Sequence, residues 1–296
     1  MTETVVAEPT NPEPVFDVWC SVVAFRTPRA EIERLAATLA LVPARVALTI
    51  VDNSVDGARA LPAALDLPAC LPVDVLRPGL NLGYGRAHNL AIKQSVGRCR
   101  YHLVLNSDIL FEPKVITGLM AFMDDRLTAG LAMPMVRYPD GSIQHLCRLL
   151  PDPAVLIGRR FFGRMAWAQK RNCQYELQDW AYDEIASFPF LSGCFMFMRR
   201  TVLDRVVGFD PRYFLYAEDL DLSRRIHGVA ETLYYPKVEI VHEYRSLQLR
   251  SWRQWLYGIT SLSQYFSKWG WLVDRDRDAI NARTVAALAC RSPTSS

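Results

Sequence analysis

The stretch Val46-Ala47-Leu48-Thr49-Ile50-Val51-Asp52-Asn53 is a nearly unbroken aliphatic and β-branched run that stops on a carboxylate and an amide. Further along, His102-Leu103-Val104-Leu105-Asn106-Ser107-Asp108 repeats the design. A short strand that is apolar on both faces belongs inside a parallel sheet covered by helices. The neighbouring sequence supplies the rest of such a sheet: Val18 to Phe25 and Val73 to Leu76 read as strands, Arg29 to Ala40 and Arg86 to Val96 as helices. This alternation predicts βαβ units and an α/β domain with a mainly parallel sheet. In open sheets of that kind ligands bind at the carboxyl ends of the strands, where Asp52 and Asp108 fall.

Outward from this half, Pro139-Asp140-Gly141 supplies turn chemistry and predicts an antiparallel hairpin over Met133 to Gln144. Gly158 to Arg171 carries Arg159, Arg160, Arg164, Lys170 and Arg171 among aromatics. It reads either as a mobile or amphipathic insertion over the active face or as a solvated basic helix. Ser187 to Arg199 reads as one buried strand, Arg200 to Val207 as helical, and Leu233 to Val241 as the last core strand. After Tyr244, Trp252, Trp255, Leu256, Ile259, Leu262, Phe266 and Trp269 recur at helical spacing. That stripe fits packing on the core or on a second subunit as a homodimer, or lying at a membrane interface. The expected organisation is a disordered lead-in over 1–14, a main α/β domain over 15–245 that changes character near 130, and an aromatic helical extension over 246–296.

With 296 residues, half of them hydrophobic, the chain can bury a large core. A formal charge of +3 is too small for a nucleic-acid binder, so any anionic partner is recognised locally. The seven cysteines are scattered, with no CxxC pair, which points to a reducing, cytoplasmic setting and away from a zinc or disulfide framework. The apolar run from Ile185 to Met198 is broken by Pro189 and Gly193 and falls short of the roughly 20 residues that span a bilayer.

Asp52-Asn53 either caps the chain after its strand or accepts hydrogen bonds from a bound base. Asn106-Ser107-Asp108 ends its strand without a glycine, and a carboxylate there suits a hard divalent cation bridging phosphates. Asn81-Leu82-Gly83-Tyr84-Gly85 precedes a helix, so its glycines would let backbone N–H groups approach a phosphate. His88 has a similar helix-start position. Glu218-Asp219-Leu220-Asp221 places three carboxylates in four positions. They either complement a helix dipole, with Arg224 and Arg225 closing i,i+4 pairs, or include a base of raised pKa. His242 closes the last strand beside Glu243 and is a candidate metal ligand.

Taken in order, Val51-Asp52-Asn53-Ser54, Asn81 to Gly85 through Asn89, Leu105-Asn106-Ser107-Asp108, and Gly193 through Asp221 resemble the family 2 glycosyltransferases. These have a GT-A fold with a Rossmann-like sheet, and within them the chain resembles the rhamnosyltransferase-like group of bacterial polysaccharide enzymes. The resemblance spans roughly Val18 to Trp271, and it implies that 15–245 is a catalytic domain with a nucleotide-binding half over about 15–130 and an acceptor-binding half over about 131–245. It implies that Asp52 contacts the nucleotide base, that Ala24 and Phe25 wall its pocket, and that Asn53, Asn81, Gly83, Tyr84, Gly85, Asn89 and Ser107 belong to the donor site. Asp108 corresponds to the last acid of a DxD motif that binds Mg²⁺ or Mn²⁺. Asp219 corresponds to the general base with Glu218 beside it, and His242 joins the metal or diphosphate shell. Asn106 replaces the first DxD acid, and Arg26 stands where relatives often have asparagine. Tyr265 to Trp271 is similar to the tail of O-antigen-type rhamnosyltransferases.

The implied reaction is inverting transfer from a dTDP- or UDP-linked sugar, dTDP-L-rhamnose first and UDP-hexoses or UDP-N-acetylhexosamines next. The implied acceptor is a saccharide or polyprenyl-linked saccharide, reached from the cytoplasmic face of the membrane. Two rivals fit less well. A sugar nucleotidyltransferase needs a glycine-rich loop that Val22 to Pro28 lacks, and a non-catalytic sugar-nucleotide binder has no need of Glu218-Asp219.

Overall fold

The computed structural model describes residues 13–55, 57, 60–243 and 252–290. The first half runs β1 (Phe16–Ala24), α1 (Arg29–Ala40), β2 (Val46–Asp52), β3 (Val73–Leu76), α2 (Tyr84–Gln94), β4 (Cys99–Leu105), β5 (Ile109–Phe111) and α3 (Lys114–Asp125). The second half runs β6 (Ala129–Arg137), β7 (Cys147–Arg148), α4 (Pro153–Phe161), α5 (Ala166–Tyr175), β8 (Ala186–Ser187), β9 (Phe190–Leu191), β10 (Phe195–Arg199), α6 (Arg200–Val206), α7 (Glu218–His227) and β11 (Glu231–His242). Two further helices follow, α8 (Trp252–Trp269) and α9 (Arg275–Ala289).

The main sheet has the order β3-β2-β1-β4-β10-β6-β11-β5, with β8 also on β11. Strands β1 to β4 are mutually parallel and β11 is parallel to β6, whereas β10, β5 and β8 run against their neighbours. The expected α/β sheet with a smaller antiparallel portion is therefore what the chain builds. Every residue of β2 is buried, as its unbroken apolar run requires. The sheet core includes Val18, Val22, Ile50, Leu103, Leu105, Phe195, Phe197 and Leu233, each at most 1% exposed. Burying a side chain of this size contributes about 1.5–3 kcal/mol.

Register explains why distant residues share one edge. Ala24 lies level with Asp52, and Val22 with both Ile50 and Leu105, so residues 106–108 emerge beside the end of β1, on the same sheet edge as the end of β2. The antiparallel β10 starts opposite Leu105, which delivers Gly193 and Cys194 to the same edge. Parallel β11 ends there at His242, paired with Ile109 of β5.

Three expectations change. The hairpin over Met133 to Gln144 shrinks to a turn and one bridge between Arg137 and Ile143, because Met133 to Arg137 are the end of β6. Its returning arm is diverted, as Gln144 bonds the carbonyl and ring of His242. The single strand over Ser187 to Arg199 is instead β8, β9 and β10, since Pro189 brings no N–H to a ladder and residues 192–194 leave the sheet toward α7. The basic insertion is two helices, α4 and α5, packed so closely that a Cβ on Gly158 would sit 3.2 Å from the Trp167 ring.

Of the expected lead-in, 1–12 lie outside the described residues, as do 244–251 around the expected boundary at 245 and the last six residues of the tail. Helices α8 and α9 dock on α7. Arg224 makes a buried, two-point ion pair with Asp274 at 2.7 and 2.8 Å, and Tyr265, Phe266 and Leu220 share an apolar cluster. The packing expectation thus holds for the second half of α8, while Trp252, Trp255, Leu256 and Ile259 in the first half are exposed.

Candidate active site

Asp108 and His242 meet because β5 pairs with β11. The Asp108 carboxylate lies 3.4 Å from His242 Nε2, and the backbone N–H of Glu243 donates to the Asp108 carbonyl at 2.9 Å. Gln144 orients the imidazole through Nδ1 at 3.1 Å. Among the described residues no three His, Cys, Asp or Glu side chains form a complete metal cage. A carboxylate oxygen and an imidazole nitrogen at that separation nevertheless suit neighbouring positions on one divalent ion, each about 2.1 Å from it. The donor set fits a cation that takes its remaining ligands from phosphate and water, which is how Mg²⁺ usually binds.

Asp219 stands near Cys194, whose thiol feels both it and Asp108. Its Oδ2 accepts the Gly193 N–H and its Oδ1 the Leu220 N–H, both at 2.9 Å. A Cβ on Gly193 would lie 2.9 Å from Asp219 Cβ, so only glycine lets the loop come this close. Helix α7 is entered through Tyr216 and Ala217, consecutive non-glycine residues with φ of 71° and 64°. Left-handed backbone at such residues costs on the order of 1–3 kcal/mol each and is characteristic of functional sites.

Burial raises the Asp219 carboxyl above its ordinary value, while its two N–H bonds and the nearby Arg148 guanidinium pull it back. Glu218 is only 5% exposed and its Oε2 has no hydrogen-bond partner. Burial, then the charge of Asp219, pushes its carboxyl up to about 8. Of the pair, Asp219 is built to carry charge and Glu218 to hold a proton. Tyr84 ties the two halves together, its hydroxyl donating to Gly193 O at 2.7 Å and lying 3.0 Å from Asn106 Oδ1.

The donor-side candidates divide. Ala24 is buried at the end of β1, and Phe25 beyond it presents an exposed ring with the Arg26 guanidinium 5.2 Å from its centroid. Asp52 accepts the N–H groups of Ser54 and Leu61 at 3.0 and 2.8 Å, which ties these two positions to the end of β2. Asn53 is buried and donates to Gly83 O while accepting from Leu82 N–H. Ser107 donates to Glu31 on α1.

The phosphate-cradle expectation for Asn81 to Gly85 is not what the geometry builds. Gly83 N–H donates to Asn81 Oδ1 and Tyr84 N–H to Phe214 O, so these amides are already taken. The two glycines serve close packing, for a Cβ on Gly83 would lie 2.0 Å from Phe214 O and one on Gly85 would lie 2.9 Å from Phe209 Cβ. Asn89 is likewise a clamp, its side-chain amide bonding both the N–H and the carbonyl of Phe209. His88 faces the core rather than a ligand: it bonds Ser21 at 2.8 Å, and burial lowers its pKa to about 3.

Residues 18–258 match the family model described as glycosyltransferase like family 2. The chain belongs to glycosyltransferase family 2. It is 31% identical over 245 residues to the N-acetylglucosaminyl-diphospho-decaprenol L-rhamnosyltransferase of Mycobacterium tuberculosis, an alignment covering 76% of each chain. Among solved structures it is similar to the mannosyltransferase PcManGT from Pyrobaculum calidifontis in complex with GDP-Man and Mn²⁺, with TM-score 0.53 and 16% identity over 94% of this chain and 78% of that one. It is also similar to S. aureus TarS 1-349 in complex with UDP-GlcNAc, with TM-score 0.55 and 15% identity over 91% and 71% of the two chains. These structures establish the GT-A fold.

In this glycosyltransferase one residue near Asp219 escaped the sequence reading, and another was read there only as a member of the acidic run. Arg148 on β7 is buried enough to influence Asp219 and carries no motif that marks it. Asp221, the third acid of the Glu218 to Asp221 run, is fully buried, and it accepts from Arg225, Trp269 and Lys268 at 2.7, 2.8 and 2.7 Å. It anchors α8 on α7. Arg225 closes the expected i,i+4 pair, while Arg224 turns to Asp274 instead.

Proposed function

We propose that this glycosyltransferase is inverting and metal-dependent, with L-rhamnose from dTDP-rhamnose as its first candidate donor and a diphosphate-linked lipid saccharide as its acceptor. The observation that carries the mechanism is Asp219, fixed by the N–H groups of Gly193 and Leu220 on the edge that also bears Asp108 and His242. Support for the substrates comes from the rhamnosyltransferase relative, whose own name specifies an N-acetylglucosaminyl-diphospho-decaprenol acceptor.

In the proposed reaction the acceptor hydroxyl attacks the anomeric carbon as the bond to the nucleoside diphosphate breaks. Asp219 takes the hydroxyl proton, and the single displacement inverts the centre. Asp108 and His242 would hold Mg²⁺ or Mn²⁺, which when bound neutralises charge on the departing diphosphate. The exposed ring of Phe25, next to the strand end that carries Asp52, is the surface for the base. Glu218 remains protonated under Tyr84 and keeps a second negative charge away from Asp219. No described helix is long and apolar enough to cross a membrane, so access to a lipid-linked acceptor would be peripheral.

Asp219→Asn is expected to lower turnover by about 10²–10⁴-fold while leaving donor affinity intact, since only the proton acceptor is lost. Transfer measured by product mass, with donor binding by calorimetry, separates the two quantities. Near wild-type turnover would remove Asp219 from this role. A nucleotide-sugar panel, with and without Mn²⁺, identifies the donor.

A further inference from the structure

A second charged cluster begins near Asp219, whose carboxyl feels the Arg148 guanidinium. Arg148 Nη2 is 3.6 Å and Arg159 Nη1 2.8 Å from the same oxygen of Glu176. The other oxygen of Glu176 is occupied by Asn172 and Gln178 at 2.9 and 2.7 Å. Tyr175 is shared by both guanidinium groups, 6.0 Å from Arg148 and 5.6 Å from Arg159, and Phe190 flanks Arg148 at 5.6 Å. One carboxylate thus faces two cations.

The nitrogen inventory is also incomplete. Arg148 Nε and His145 Nδ1 are buried without a hydrogen-bond partner. An arginine fork held by one oblique carboxylate contact has donors left for a doubly charged anion, and guanidinium matches phosphate oxygens in pairs.

Immediately outside Arg159 the α4–α5 hairpin exposes Ile157, Phe162, Met165 and Trp167, each between 43% and 50% exposed. Arg164 and Lys170 beside them are exposed and form no ion pair among the described residues. The sequence of surfaces leading away from Asp219 is therefore cationic, then apolar with cations at its border.

We propose that the face formed by β7 and the α4–α5 hairpin is the subsite for the lipid-diphosphate part of the acceptor. Arg148 and Arg159 take the diphosphate, and Phe162, Met165 and Trp167 receive the adjoining prenyl chain, which sets the acceptor sugar over Asp219. This rests on the reading of the chain as a transferase acting on a lipid-linked saccharide. Arg148 and Arg159 are positioning residues in it, since the proton goes to Asp219.

The test compares two acceptors with the same sugar and prenyl chain, one joined through a diphosphate and one through a simple ether. For Arg148→Gln, and for the more exposed Arg159→Gln, KM for the diphosphate acceptor is expected to rise about 10-fold or more, the loss of a charge-assisted hydrogen bond. KM for the donor and for the ether acceptor should stay unchanged. Phe162→Ser, at an exposed position, should raise KM more for a long prenyl chain than for a short one. Equal losses on both acceptors, or none on either, would overturn the subsite while leaving the transferase reading intact. Wild-type protein that transfers sugar to water but to neither acceptor would overturn the acceptor reading and the subsite with it.

Discussion

Glu218 and Asp219 are chain neighbours with opposite surroundings, and the difference is worth testing residue by residue. Asp219 receives two backbone N–H groups; Glu218 Oε2 receives none. With its folded pKa raised to about 8, Glu218 favours the folded state fully only below the ordinary glutamate range, and that contribution fades as pH rises toward 8. Glu218→Gln should therefore leave stability nearly unchanged at pH 5 and increase it by roughly 1–3 kcal/mol at pH 8.5, the size of an uncompensated buried polar group. Urea denaturation at the two pH values checks this, and a variant that loses stability at pH 8.5 would contradict a buried proton. At this scale the sequence is partly legible. The acids were visible as a cluster, but their unequal environments depend on Gly193, which is brought in by β10. Arg148 was invisible, because nothing local distinguishes a functional arginine from one on a surface strand.

At the scale of elements, α1 and β3 could be read to the residue, since Arg29 to Ala40 is helical after Pro28 and Val73 to Leu76 is a compact apolar run. The strand read over Ser187 to Arg199 could not, for its apolar composition conceals the departure of residues 192–194 to hold α7. The docking of α8 was legible as an aromatic stripe but not in its polar anchors. Lys268 bridges Asp210 and Asp221 at 2.8 and 2.7 Å. Burial would raise the Asp210 carboxyl, yet its bonds to Lys268 and Arg212 hold it at about 2. A lowered carboxylate pKa gives stability that is present above about pH 4 and lost as pH falls toward 2, on the order of 2 kcal/mol here. Lys268→Met should shrink that acid-dependent loss, seen as a smaller difference between denaturation midpoints at pH 5 and pH 2.5. An unchanged difference would mean that Arg212 alone sets Asp210.

For the whole molecule, the edge carrying Asp108 and His242 joins segments far apart in the chain through a single short strand pairing, three residue pairs between β5 and β11. Residue patterns alone left Asp108 and His242 as separate candidates, and only the family resemblance assigned both to one metal; the strand pairing that brings them together is not legible in either segment. It has a thermodynamic consequence. An ion held by both side chains and by a donor diphosphate binds only the folded state, in which the two residues are 3.4 Å apart. Ligand at about 100 times its dissociation constant then stabilises the fold by roughly 2.7 kcal/mol. For a chain of this size each kcal/mol moves the melting temperature by roughly 2–4 °C. Nucleoside diphosphate with Mn²⁺ should therefore raise Tm by several degrees, whereas the nucleotide with chelator should give much less. His242→Ala and Asp108→Ala should each reduce the metal-dependent part without removing the shift given by the base and ribose. A full shift in chelator would place the diphosphate on protein cations instead, and the two-residue metal site would have to be abandoned.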